Sequence, residues 1–371
     1  MIDGKRVVET FLDYVQIDSE THHEHEMTAR LVADLKALGL AVTTDEAGKA
    51  ADSDGANVYC HIDGDPSSDC ILFSSHMDTV TPGKGIRPQI RDGYIYSDGT
   101  TVLGADDKSG VAAIMEALRA LLESGVPHRP IDILFTIREE GGLNGSANVD
   151  YSRLKAKYGV VLDASNDVGK IVSSAPGQIR IYADIYGKRA HAGSDPEKGV
   201  SAVQAAAVAV SNMKLQRIDE ETTANIGTLS CVGETNVVQD HVVFAAETRS
   251  KNQEKLEAQA AHMVSCLQAA CDTFGARLEY RLHHSYRSYS LPENHPHVQR
   301  MMQACRQVGC DPWLTYTGGG TDGNHFNAHG IETAVLACGM EYEHTTGERV
   351  SIQNLQDAAK VVYTLMLPDE H

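Results

Sequence analysis

Two patterns of apolar residues share this chain, and the points where one replaces the other most constrain its fold. Towards both ends, short apolar runs lack polar alternation. "IDILFTI" (131–137) and "GVVL" (159–162) read as strands buried on both faces, and "CILF" (70–73) and "ETAVLA" (332–337) are strand-like in the same way. Between them lie helical patterns. Val7, Val8, Phe11, Leu12 and Val15 form one apolar stripe, and a second helix spans about 27–38 and stops at Gly39. Val111, Ile114, Met115, Leu118, Leu121 and Leu122 form another stripe, closed by Gly125 and Pro127, and a last helix covers 352–367 before Pro368. Strands alternating with helices predict an α/β sheet layered with helices.

The middle of the chain follows a different rule. "QIRIYADIYG" (178–187) alternates Ile179, Ile181, Ala183 and Ile185 with polar residues, the signature of a strand with one wet face. A helix pattern at 200–213 follows, then the strand patterns "ANIGTLSCVG" and "HVVFAAETRS", a long helix over about 252–273, and the alternating "ARLEYRL". The order β-α-β-β-α-β is the split, ferredoxin-like motif. It predicts an α+β domain at 176–287 inserted into a discontinuous α/β domain formed by 1–175 and 288–371, an arrangement that neighbouring domain ends permit.

Composition narrows the class. A chain of 371 residues suits two domains, and no run approaches the ~18 apolar residues of a membrane helix. The start, "MIDGKRVVETFLDYVQIDSE", is interrupted by charges and does not read as a signal peptide. Eight scattered cysteines without a CxxC pair read as reduced thiols, so the expected location is the cytoplasm. A net charge of −19 argues against a nucleic-acid partner, whose phosphates it would repel. A solvated acidic surface accounts for most of that excess, and a cation bound to some of the acids would offset part of it.

The unusual acids and histidines fall at strand ends. "CILF" leads into His76 and Asp78, "IDILFTI" into Glu139 and Glu140, "GVVL" into Asp163, and "ETAVLACGM" into His344. "VLGADDKSG" (102–110) adds Asp106 and Asp107 just ahead of a helix. Ligands of open α/β sheets bind at the carboxyl ends of strands. Each residue has an ordinary explanation by itself: a core or surface histidine, a solvated Glu-Glu turn, or a helix cap, which is the reading for Asp107. Together they would require several coincidences. Two imidazoles with three carboxylates suit zinc, or manganese or cobalt, better than calcium or magnesium. Five donors exceed the three protein ligands of one catalytic zinc, whereas two metals sharing a bridging carboxylate would use them all.

The stretches "SSHMDTV", "GADDKSG", "REEGGLNGS", "VLDAS", "HAGSDPEKGVSA", "TNVVQD", "TGGGTDGN" and "HTTGERVSI" occur in order along nearly the whole chain. This set resembles the co-catalytic zinc exopeptidase and deacylase superfamily, which includes peptidase T, carboxypeptidase G, acetylornithine deacetylase and succinyl-diaminopimelate desuccinylase. "GADDK" and "HAGSDPEKG" are most similar to the peptidase T branch. The resemblance implies an α/β/α catalytic domain holding two Zn2+, with an inserted lid and dimerisation domain and a homodimer as the assembly. It implies His76, Asp106 and Asp163 on one zinc, with Asp106 bridging to a second held by Glu140 and His344. It gives Glu139 the role of general base, Asp78 that of orienting the first histidine, and His191 that of an oxyanion donor from the lid. Asn236 and Arg249 match substrate-holding lid positions, Arg249 by its planar fork. Gly318, Gly319 and Gly320 match a loop whose amides meet the substrate. The activity implied is that of a di- or tripeptide aminopeptidase. An N-acyl amino acid deacylase or carboxypeptidase using the same site is the rival enzyme, and a metal-binding relative without activity is the rival that is not one.

Overall fold

The structure is a computed structural model that describes residues 1–368, and the chain divides into two compact units. The first comprises Met1–Ser174 and the chain from Ser290 onward; the second is Ala175–Tyr289.

The first unit is built on a mixed nine-stranded sheet. Along its path lie Val42–Thr44, Val58–Ile62, Ile131–Thr136, Ile71–His76, Tyr158–Ala164, Glu332–Ala337 and Lys170–Ala175. The strands at 131–136, 71–76, 158–164 and 332–337 are mutually parallel, so their carboxyl ends share one edge. Strand 71–76 lies between 131–136 on one side and 158–164 on the other, which makes its carboxyl end a topological switch point. Alternate residues of these strands feed two separate cores. Phe73, Ile133, Phe135, Val160 and Leu336 pack with the helices Gly4–Val15, Ala105–Ser124 and Ile352–Met366. Leu72, Leu134, Val161 and Val335 pack on the other face with Phe326 of the helix Asp322–Ala328. That double burial explains why these strands show no polar alternation, and it makes the unit an α/β/α layer structure.

Some elements are too short for periodicity to reveal. Met340–Glu341, Arg349–Ser351, Tyr94–Tyr96 and Gln89–Arg91 form a small antiparallel sheet. It ties the segment carrying His344 to the approach to "GADDK".

The second unit is a five-stranded antiparallel sheet in the order Gln216–Arg217, Thr222–Ser230, His241–Ser250, Gly177–Tyr186, Arg277–Tyr286. Helices Ala202–Asn212 and Gln253–Phe274 pack on one face, against Ile179, Ile181, Ile185, Val242 and Phe244. Its four long strands take the ferredoxin-like order, with the first and third adjacent in the centre.

Candidate metal centre

The donors collect at the switch point. His76 ends its strand and is buried, with Nε2 3.0 Å from Asp106 Oδ1 and 3.8 Å from Asp163 Oδ1. The other oxygen of Asp106, Oδ2, lies 3.2 Å from His344 Nε2, and that same nitrogen is 2.8 Å from Glu140 Oε1. One carboxylate therefore presents a separate oxygen to each imidazole. These carboxylates hold the imidazoles protonated in the absence of a cation. His344 is raised to about 11 by its hydrogen bonds to Asp106 and Glu140. Burial works against the charge on His76, yet Asp106 and Asp78 keep it well above the usual imidazole value. Burial alone pushes Glu139 and Asp163 up, and neighbouring carboxylates push them further. So much like charge in one buried place is stable only with compensation, which two dications would supply.

Asp106 needs a special backbone to face both ways. The peptide between Asp106 and Asp107 is cis, and both residues depart from helical angles before the helix that runs to Ser124 becomes regular. Asp107 behaves as the cap that its position suggests: Oδ1 accepts the Gly110 amide at 3.2 Å, and Oδ2 accepts Ser75 Oγ at 2.5 Å. A donor atom of Asp107 also lies near His76 and Asp163, but its two oxygens already accept the Gly110 amide and the Ser75 hydroxyl.

Sequence reasoning missed the residue that holds this turn. Glu348, buried in the loop after His344, accepts three backbone amides with its carboxylate. Oε2 takes Leu103 at 2.7 Å and Gly104 at 2.8 Å, and Oε1 takes Asp106 at 2.9 Å. It supplies from 242 to 245 residues away the cap that Gly104 cannot. Asp322 is a second omission: buried, it accepts Thr136 Oγ1 and Ser146 Oγ, each at 2.5 Å, and braces the chain on both sides of the Glu139–Glu140 turn. No local pattern marks either residue, since each acts on partners distant in sequence.

Asp78 does less and more than expected. His76 Nδ1 is 2.9 Å from the backbone carbonyl of Asp78 and 3.4 Å from its carboxylate, so the carbonyl is the main orienting partner. The carboxylate instead accepts the amides of Glu139 at 2.9 Å and Glu140 at 3.3 Å, together with Thr21 Oγ1 at 2.8 Å. It thereby fixes the turn on which both glutamates stand.

Asp106, Glu139, Glu140, Asp163 and His344 line a cleft of about 390 Å3, whose wall includes Gly318 and Gly320. Gly319 does not line it, and its amide donates to Thr317 Oγ1 at 3.1 Å. A larger cleft of about 670 Å3 beside the helix Pro296–Gln307 is lined by no carboxylate or histidine, so size does not locate the chemistry.

The remaining expected residues lie in the second unit. His191 is exposed, and its Nδ1 accepts the amides of Gly193 at 3.1 Å and Ser194 at 3.0 Å. An Nδ1 that accepts leaves the proton on Nε2, so the ring offers an outward N–H donor. The Asn236 carbonyl accepts the Ala192 amide at 2.8 Å, which pins the same loop. Arg249 directs its fork at Glu247, with Nε 2.8 Å from Oε1 and a terminal nitrogen 3.3 Å from Oε2.

A mixed sheet with carboxylates and imidazoles gathered at the switch point of its parallel strands, in a chain interrupted by a ferredoxin-like unit, defines a metallohydrolase of two compact parts. The profile of peptidase family M20/M25/M40 matches residues 72–367. The chain belongs to that family and is a peptidase, a hydrolase acting on peptides. It is similar to the aminopeptidase PepT of Bacillus cereus, whose crystal structure gives a TM-score of 0.93 at 42% identity over 98% of each chain. It is also similar to a tripeptidase from Staphylococcus aureus, with a TM-score of 0.93 at 40% identity over 99% of this chain and 98% of that one. Peptidase T of Shouchella clausii is 27% identical over 409 aligned residues, 97% of each chain. Among the described residues, no helix is long and apolar enough to cross a membrane.

Proposed function

We propose that this chain is a two-metal aminopeptidase that removes the N-terminal residue from short peptides, tripeptides or dipeptides. The observation that carries the reading is the Asp106 carboxylate, with one oxygen 3.0 Å from His76 and the other 3.2 Å from His344. A carboxylate so placed suits a bridge between two cations, one held with His76 and Asp163, the other with Glu140 and His344. The donor set, nitrogen and oxygen only, fits Zn2+ and accepts Mn2+ or Co2+. Bound there, two dications would lower the pKa of a shared water from 15.7 towards ~7.

Around that centre the chain's own groups have distinct tasks. Glu139 stands on the turn fixed by Asp78 and takes the proton from the attacking water. Its buried, proton-attracting carboxyl suits both that step and return of the proton to the leaving amine. His191 offers its Nε2–H to the oxyanion of the tetrahedral intermediate. The inserted unit serves as lid and dimerisation domain, so a partner subunit or lid closure delivers His191. Asn236 and Arg249 hold the substrate, and Gly318, Gly319 and Gly320 offer the loop that meets it; Arg249 and Gly319 exchange their present partners in doing so. The enzyme works in the cytoplasm. The names of the Bacillus cereus and Staphylococcus aureus relatives support the substrate class.

The test is a panel of free tripeptides and dipeptides, the same peptides N-acetylated, and N-acetyl amino acids. Release of the N-terminal residue only from peptides with a free amine is expected. Preference for N-acetyl amino acids would replace this reading with a deacylase, and release from the C-terminus with a carboxypeptidase.

A further inference from the structure

We propose that His61, Cys70 and Asp132 form a separate, thiolate-containing site for a divalent transition-metal ion of the zinc class, at the opposite end of the sheet from the centre described above. Strand 131–136 runs between 58–62 and 71–76, antiparallel to the first and parallel to the second. His61 pairs directly with Asp132, and Asp132 with Leu72, so all three side chains share one face of the sheet. Cys70, two residues before Leu72, continues the row on that face. One donor atom from each of His61, Cys70 and Asp132 lies within 4.8 Å of the others. His61 Nδ1 is 2.7 Å from Asp132 Oδ1. That spacing matches the 2.8 Å between His344 and Glu140 at the other centre.

Three further contacts orient these donors. Asp132 Oδ2 accepts the amides of Lys155 at 2.6 Å and Ala156 at 2.9 Å, which leaves Oδ1 to face His61. His61 Nε2 is 3.2 Å from the carboxylate of Asp63, so Nδ1 is the nitrogen turned into the cluster. An outer carboxylate on the far ring nitrogen and backbone donors on a ligating carboxylate are how metal ligands are commonly held. A cleft of about 610 Å3 opens beside His61 and Asp132 and gives access to an ion and to a fourth ligand such as water. Cysteine with histidine selects zinc-class ions over magnesium or calcium. On binding, the Cys70 thiol releases its proton to solvent as the S–metal bond forms. None of the groups in the peptidase reading belongs to this cluster, so the inference stands apart from that reading.

Cobalt titration of the intact, chelator-treated protein tests it. The other centre is proposed to use only nitrogen and oxygen donors, so a sulfur-to-cobalt charge-transfer band in the near ultraviolet reports a thiolate site. The expected result is that band together with one cobalt equivalent that disappears in Cys70→Ser. In His61→Gln the same equivalent should bind at least about ten-fold more weakly. Peptide hydrolysis should persist in both variants. Should Cys70→Ser fail to fold, His61→Gln gives the same reading. Absence of the band in the wild type, a band that survives Cys70→Ser, or unchanged affinity in a folded His61→Gln would overturn the proposal.

Discussion

Glu348→Gln isolates the support of the Asp106 carboxylate, proposed above to bridge two metals, from the carboxylate itself. The three amides it accepts divide unevenly, two on Oε2 and one, from Asp106, on Oε1. A carboxamide has the same shape, and its carbonyl oxygen can keep Leu103 and Gly104. Its NH2 group then faces the Asp106 amide, where donor meets donor. A buried amide left without an acceptor costs about 1–3 kcal/mol. Relief of the buried charge offsets part of this, since burial already raises the Glu348 carboxyl to about 7. The net stability change in the metal-free protein is therefore expected near the low end, about 1 kcal/mol. The functional cost should be larger, because Asp106 must face two imidazoles at 3.0 and 3.2 Å. Loss of an outer partner of a metal ligand typically weakens binding by about 10–100-fold. The assay is chelator competition for zinc, run beside urea unfolding of the metal-free protein. If stability falls while zinc affinity and kcat at saturating metal stay at wild-type values, Glu348 is only a structural cap and the reasoning fails.

Glu139→Gln should keep both metals and lose about 10²–10⁴ in kcat, the usual share of general-base catalysis; near-normal turnover in a metal-replete variant would assign the proton transfer elsewhere. His191→Ala and Asp106→Ala chains, each inactive alone, should regain activity when mixed if the histidine acts across a dimer. No recovery in verified heterodimers would leave lid closure within one chain. Burial pushes the His297 imidazole down to about 3 from 6.5, while its Nε2 donates to the Gly159 carbonyl at 2.7 Å. With the folded value depressed, this contribution to stability is complete above pH 6.5 and drains as pH falls towards 3, at ~1.4 kcal/mol per pH unit. Between pH 6.5 and 5, His297→Gln should therefore lose about 2 kcal/mol less than the wild type in urea unfolding. Equal losses would show that His297 does not carry this acid sensitivity.

What the sequence determined by itself is whatever a local pattern encodes. The strand at 131–136 was legible because both faces of Ile133, Leu134 and Phe135 are buried, which erases polar alternation; the strand at 177–186 was legible because only one face is. The candidate donors were legible for a related reason: an acid or histidine directly after such a strand must emerge at the sheet's carboxyl edge. Asp107 as a helix cap followed from position alone, and its bond to the Gly110 amide agrees. The tertiary structure decided the rest. Only chain crossing brings Glu348 under Leu103, Gly104 and Asp106, sets the Asp78 carboxylate on the amides of two glutamates, and places Cys70 beside His61 and Asp132. The strands at 89–91, 94–96, 340–341 and 349–351 are two or three residues long, too short for any period, and they exist because each completes its hydrogen bonds on another. Periodicity reports which side of an element is dry. Which distant residue meets that side depends on sheet order and loop course, and these are set by the packing of the whole unit.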